Sequence, residues 1–187
     1  YISFFQDNPN VPLFAQHGID YSDDNIHYGA VLFPIYLAEK FSSIDERFNC
    51  QIIRNIWARC ELNFPSLATE LELAYSMSSL QEELKNFTVW RAKVGDFYDD
   101  NYFYEGNNYK LPRMIDIDLN ENDTVLTGNL KPKSCLFYAL EYSTAQEGII
   151  GELIHLSSFS SGCLGLIPIE LPGSNPIEPQ FGELNNK

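Results

Sequence analysis

Three consecutive segments between Gly29 and Phe87 place their apolar residues at helical spacing, and this constrains the chain more than any other feature of its 187 residues. Val31, Leu32, Ile35, Tyr36 and Leu37 share one helix face, with Pro34 in a first turn or at a kink. Asp45 or Ser43 is placed to cap a second helix, in which Phe48, Ile52, Ile53, Ile56, Trp57 and Cys60 recur. Pro65-Ser66 opens a third, with Leu67, Leu71, Ala74, Tyr75, Met77 and Leu84 on its apolar face and Glu70, Glu72, Glu82 and Glu83 exposed. A chain with this much amphipathic helix must bury those faces against something.

The flanking sequence reads as strand. Tyr1–Phe5 is a short β-prone run, broken at Gln6-Asp7-Asn8-Pro9-Asn10. Thr88–Val94 alternates weakly, and Met114–Leu119 alternates apolar and acidic residues as a half-buried strand would. Thr124–Leu130 is placed to pair with it, Cys135–Tyr142 fits either strand or helix, and Ser143 with Gln146 suits a capping box. Leu164–Leu171 is a last strand that Pro168 confines to an edge. The expected fold is α+β, with N-terminal helices packed on a mixed or antiparallel sheet from the C-terminal half. It forms a single domain over 1–187. Residues 1–28 are strand plus acidic loop, 29–87 helical, 88–171 mainly β with one helix, and 172–187 a Pro-rich tail.

Charge narrows the partners. Twelve Lys and Arg stand against 26 Asp and Glu, a net −14 at pH 7, which disfavours nucleic acid or an anionic membrane as direct partner. Thirteen Phe and eleven Tyr argue against an acidic disordered chain. The acid excess is local. Residues 29–93 sum to −1, residues 7–28 to −4 and residues 94–123 to −6, and six Glu follow position 134. No apolar run is long enough to span a membrane. Cys50, Cys60, Cys135 and Cys163 form no C-x-x-C pair. Ten residues of helix would hold Cys50 and Cys60 about 15 Å apart. Free thiols of a reducing cytoplasm are the plain expectation. A chain that begins at Tyr1 rather than Met is also compatible with a removed leader.

Motifs of catalysis are weak. Asp116-x-Asp118-x-Asn120 resembles the start of a calcium loop, yet Glu121 stands where glycine is needed and Thr127 where the bidentate Glu belongs. Gly162 directly precedes Cys163, so Ser161-Gly162-Cys163-Leu164-Gly165 is no nucleophile elbow, although His155 lies eight residues upstream. His17, His27 and His155 share no metal-ligand spacing, and no phosphate-binding glycine loop occurs. These readings assign no catalytic residue, no metal and no cofactor.

What stands out is Asp96 to Tyr109. Here Phe97, Tyr98, Tyr102, Phe103 and Tyr104 interleave with Asp96, Asp99, Asp100 and Glu105. Asp20, Tyr21, Asp23 and Asp24 repeat that chemistry near the N-terminus. Tyrosine offers rigid, amphipathic contact area, and carboxylates meet Lys and Arg through charge-assisted hydrogen bonds. Such a surface suits a basic protein. The plainer account makes the aromatics core and the acids their solvated neighbours.

In character this chain resembles the immunity proteins of bacterial toxin systems, on the strength of Asp20–Asp24 and Asp96–Tyr109. That resemblance implies a small acidic inhibitor without a catalytic site, which covers the active site or nucleic-acid groove of a cognate basic toxin, a nuclease first of all. The site residues it implies are Asp20, Tyr21, Asp23, Asp24, Asp96, Tyr98, Asp99, Asp100, Tyr102, Tyr104 and Glu105. Two alternatives stay open: a hydrolase with Cys163 as nucleophile, and an acidic adaptor or anti-restriction inhibitor.

Overall fold

A computed structural model of the chain describes residues 1–14, 28–42, 50–118, 134–141, 163–166 and 180–183. The chain divides into two units, Tyr1–Leu140 and Glu141–Lys187. Among the described residues of the first unit lie helices α1 (Ile2–Asp7), α2 (Leu32–Lys40), α3 (Cys50–Cys60), α4 (Pro65–Tyr75) and α5 (Leu80–Ala92). Two 3-10 turns follow, Gly95–Phe97 and Gly106–Asn108, and then strand β1 (Met114–Asp118), which neighbours β2 (Phe137–Glu141). The second unit contributes β3 (Cys163–Leu166) and β4 (Gln180–Glu183), antiparallel, with Cys163 opposite Glu183 and Leu166 opposite Gln180.

The α+β expectation is contradicted. The described residues are mostly helical, and strand is confined to short pairs that offer no sheet for helices to pack on. Tyr1–Phe5 and Thr88–Val94, read as β-prone, lie largely in α1 and α5. The reason is visible on α5. Leu80, Glu83, Phe87 and Arg91 recur at helical spacing and are all buried. Two of those four are charged, so the core-facing stripe does not read as apolar. In α1 the buried Gln6 has the same effect, beside Phe5.

Aromatic rings from α1, α2, α5 and the segment beyond α5 make the core. Phe33 meets Phe87 edge-on with ring centres 5.1 Å apart, and Tyr36 meets Trp90 edge-on at 4.9 Å. Phe5 lies over Phe87, and Phe103 reaches Trp90 at 5.0 Å from beyond the end of α5. Truncating a ring in such a cluster typically costs about 3–5 kcal/mol.

Two buried charged groups lock the helices together. Glu83, 2% exposed, accepts hydrogen bonds from the Tyr36 hydroxyl, from Lys40 Nζ at 2.7 Å and from Ser78 Oγ at 2.5 Å. Burial, with the Glu83 carboxylate beside it, holds the Tyr36 hydroxyl far above its ordinary pKa. Arg91, 3% exposed, donates from Nε to Gln6 Oε1 at 2.7 Å, from Nη2 to the Phe5 carbonyl at 3.3 Å and from Nη1 to Cys135 Sγ at 3.2 Å. Its guanidinium also lies over the rings of Phe5, Phe87 and Phe137. Burial lowers the Arg91 pKa against the opposing pull of the Cys135 sulfur. Burial likewise pushes the Cys135 thiol up, while Arg91 and Thr88 act the other way.

The third expected helix is in fact two, α4 and α5. Met77 adopts a left-handed backbone (φ 57°), and the Ser78 N–H returns to the Leu73 carbonyl at 3.0 Å, a Schellman-type end. Ser79 then caps α5, its Oγ accepting the Glu82 N–H at 3.2 Å. The faces of α4 are also exchanged. Leu67, Leu71, Tyr75 and Met77, expected inside, are exposed, whereas Glu72 is buried. Glu72 can sit there because Arg59 Nε and Asn55 Nδ2 on α3 reach it at 2.9 and 2.7 Å. Glu83, also expected outside, has the three donors already named. A buried carboxylate with its hydrogen bonds made is tolerated, and one without them is not.

Candidate functional site: an acidic tyrosine surface

Residues 96–109 run as consecutive tight turns beyond the end of α5. Gly95 starts them with a left-handed backbone (φ 56°), and a Cβ there would approach the Tyr109 carbonyl oxygen at 3.0 Å. Backbone hydrogen bonds then link Phe97 to Val94, Tyr98 to Gly95, Tyr102 to Asp99, Gly106 to Phe103 and Tyr109 to Gly106. Phe103 is the anchor. It is fully buried, with Trp90 on one side and the Tyr109 ring 5.5 Å away edge-on. The Tyr98 ring lies against Gly106, where a Cβ would come within 3.0 Å of it.

The polar residues of the expected site divide on this frame. Asp96, Tyr98, Asp100, Tyr104 and Glu105 are exposed, so the turns bring them to the surface of one short segment. Asp99 is half-buried and has a local role. Its Oδ1 accepts from the Asn101 backbone N–H at 3.0 Å and side-chain amide at 2.8 Å, which shapes the turn. Tyr102 is half-buried with its ring edge-on to Trp90, so it belongs to the packing as much as to the surface. Asp20, Tyr21, Asp23 and Asp24 lie outside the described residues.

One side chain that holds the turns comes from elsewhere. Glu39 on α2 accepts the Tyr104 backbone N–H at 3.0 Å, across 65 residues of sequence. Partial burial raises its pKa, with the nearby Glu105 charge adding and the Tyr104 N–H opposing. Burial, then Glu39 and Glu105, likewise raise the Tyr109 hydroxyl. The sequence offered no signal for Glu39, since neither its spacing nor its neighbours set it apart. Glu105, by contrast, belongs to the acidic segment singled out in the sequence, and it precedes the second 3-10 turn directly.

Beside the turns is a shallow depression of about 280 Å³, lined by Gly95, Asp96, Tyr109, Lys110 and Leu111. Lys110 does not make it basic, because its Nζ contacts both Asp7 oxygens at 2.6 and 2.8 Å. Asp96 is the carboxylate at its edge, and it joins none of the ion pairs found among the described residues. The segment presents carboxylates, tyrosine hydroxyls and ring faces together at the surface.

The remaining candidates are less complete. Cys163 begins β3, but Ser161, Gly162 and His155 lie outside the described residues. Asp116 and Asp118 lie on strand β1, and Asn120 to Asp123 are outside the described residues. Among the described residues no three His, Cys, Asp or Glu side chains converge as metal ligands would. The cavity beside Arg91 and Cys135 holds about 50 Å³, far less than a substrate pocket. Among the described residues no helix is long and apolar enough to cross a membrane. No protein-family model, curated protein or solved structure matches the chain.

Proposed function

We propose that this chain is a cytoplasmic binding protein for a basic protein, and that Asp96, Tyr98, Asp100, Tyr104 and Glu105 form its contact surface. The observation that carries this reading is the ordered presentation of those side chains on turns pinned by Phe103 and Glu39. Preorganised donors and acceptors keep the entropic cost of docking low. A net charge of −14 speeds encounter with a cationic partner. A Lys or Arg of that partner fits the depression at Asp96, and the tyrosines supply the apolar part of the contact. The role that suits such a surface is that of an immunity protein, with the carboxylates occupying the active site or nucleic-acid groove of a nuclease toxin in place of phosphates.

The experiment is to identify the proteins encoded by the neighbouring genes and to test any basic nuclease among them for inhibition by this chain. One equivalent of this chain should suppress that protein's nuclease activity at about 0.1 M salt and lose most of its effect at about 0.5 M. Full nuclease activity at low salt with excess chain present would rule the reading out.

A further inference from the structure

Arg91 is a buried cation with no carboxylate beside it among the described residues. Its acceptors are the Gln6 amide oxygen, the Phe5 carbonyl and the Cys135 sulfur, and none of the ion pairs found there includes it. A guanidinium carries five N–H donors, so these three bonds leave two over. The rings of Phe5, Phe87 and Phe137 attract the cation but bring no charge. Cys135 would bring one as a thiolate, yet burial raises its pKa and keeps the thiol protonated at neutral pH. The buried carboxylates of the same fold are treated differently. Glu83 has Lys40 at 2.7 Å and Glu72 has Arg59 at 2.9 Å. A buried charge is costly unless something of opposite sign balances it.

Room for that balance adjoins the guanidinium. Arg91, Thr88, Ser134 and Cys135 line the cavity of about 50 Å³, and its other walls are apolar, Leu13 and Leu84 among them. We infer that this cavity binds a small monovalent anion of chloride size, held by the two remaining N–H donors of Arg91. Size and charge together set the class. The volume exceeds the roughly 30 Å³ that a water occupies in the liquid, and falls far short of the roughly 300 Å³ at which small-molecule pockets begin. One negative charge is what Arg91 balances. A doubly charged oxyanion would leave an excess charge against Leu13 and Leu84, where nothing solvates it. Apolar walls strengthen the attraction inside the cavity, whereas the net charge of −14 opposes any anion from outside. The affinity is therefore in the millimolar range rather than tighter. Thr88 contributes shape rather than a donor, since its hydroxyl is given to the Leu84 carbonyl at 2.8 Å. The site does not depend on the binding surface proposed above.

Thermal unfolding of the full chain tests this at constant ionic strength, with chloride replacing gluconate, an anion too large for the cavity. Raising chloride from about 1 to about 100 mM should lift the unfolding midpoint by about 5 °C, and bromide should act alike. Arg91→Met removes the charge at similar length and should abolish the chloride response. Thr88→Leu fills the cavity with Arg91 still in place and should abolish it too, which decides the matter if Arg91→Met fails to fold. In crystals of the unaltered chain grown with bromide, the anomalous signal should lie within hydrogen-bond distance of the Arg91 guanidinium. A midpoint indifferent to chloride would overturn the inference, and the cavity would then hold water alone. So would a chloride response kept by either variant, or bromide bound only elsewhere.

Discussion

Glu39 ties the candidate site to the helical core, and its protonation carries a definite sign. Its pKa is raised in the folded chain, so the native state holds that proton more tightly than the unfolded one. The stability this contributes is complete below the unfolded carboxyl pKa and is lost as pH rises through the folded value. Glu39→Gln removes this slope and keeps an acceptor for Tyr104. Urea unfolding should show the variant as stable as the parent or more so at neutral pH, with its advantage gone near pH 4. Glu39→Ala, which keeps no acceptor, should speed hydrogen exchange of the Tyr104 amide at least tenfold. Arg91 makes the companion case in the core. Its fork serves Gln6, the Phe5 carbonyl and Cys135 at once, which a lysine ammonium cannot do. Arg91→Lys should therefore cost about 2–4 kcal/mol in urea unfolding at neutral pH.

At the scale of elements, the break between α4 and α5 rests on an expensive residue. Met77 holds a left-handed backbone that costs an L-residue roughly 1–2 kcal/mol, where glycine would cost little. Met77→Gly should stabilise the chain by about 1 kcal/mol, measured by urea unfolding in dilute solution. A glycine there would also have marked the helix end, whereas the methionine let the periodicity run on from Pro65 to Leu84 as if uninterrupted. The same logic separates what could be read from what could not. Leu32, Tyr36 and Leu37 are buried as their spacing predicts, and Pro65 opens α4. Periodicity failed on α1 and α5 because Gln6, Glu83 and Arg91 occupy core positions, and their partners lie tens of residues away. On α4 it identified a real apolar stripe and assigned it to the wrong side. In the site, Tyr98, Tyr104 and the carboxylates were open to inspection because exposed chemistry is local. Glu39 was not, since its role exists only once α2 meets the turns.

For the whole molecule, charge and apolar surface have separate places. The acids of the Asp96–Glu105 turns form the surface proposed to meet a basic protein, and the exposed apolar residues of α4 lie apart from them in the sequence. The assignment of the turns as a contact surface is tested most directly by stopped-flow association with a basic nuclease encoded by a neighbouring gene. Asp99 is better left intact because it shapes the turn. Asp96→Lys, Asp100→Lys and Glu105→Lys together should slow association at least tenfold at low salt, with less difference at about 0.5 M. An association rate unchanged by all three reversals would contradict the assignment of this surface.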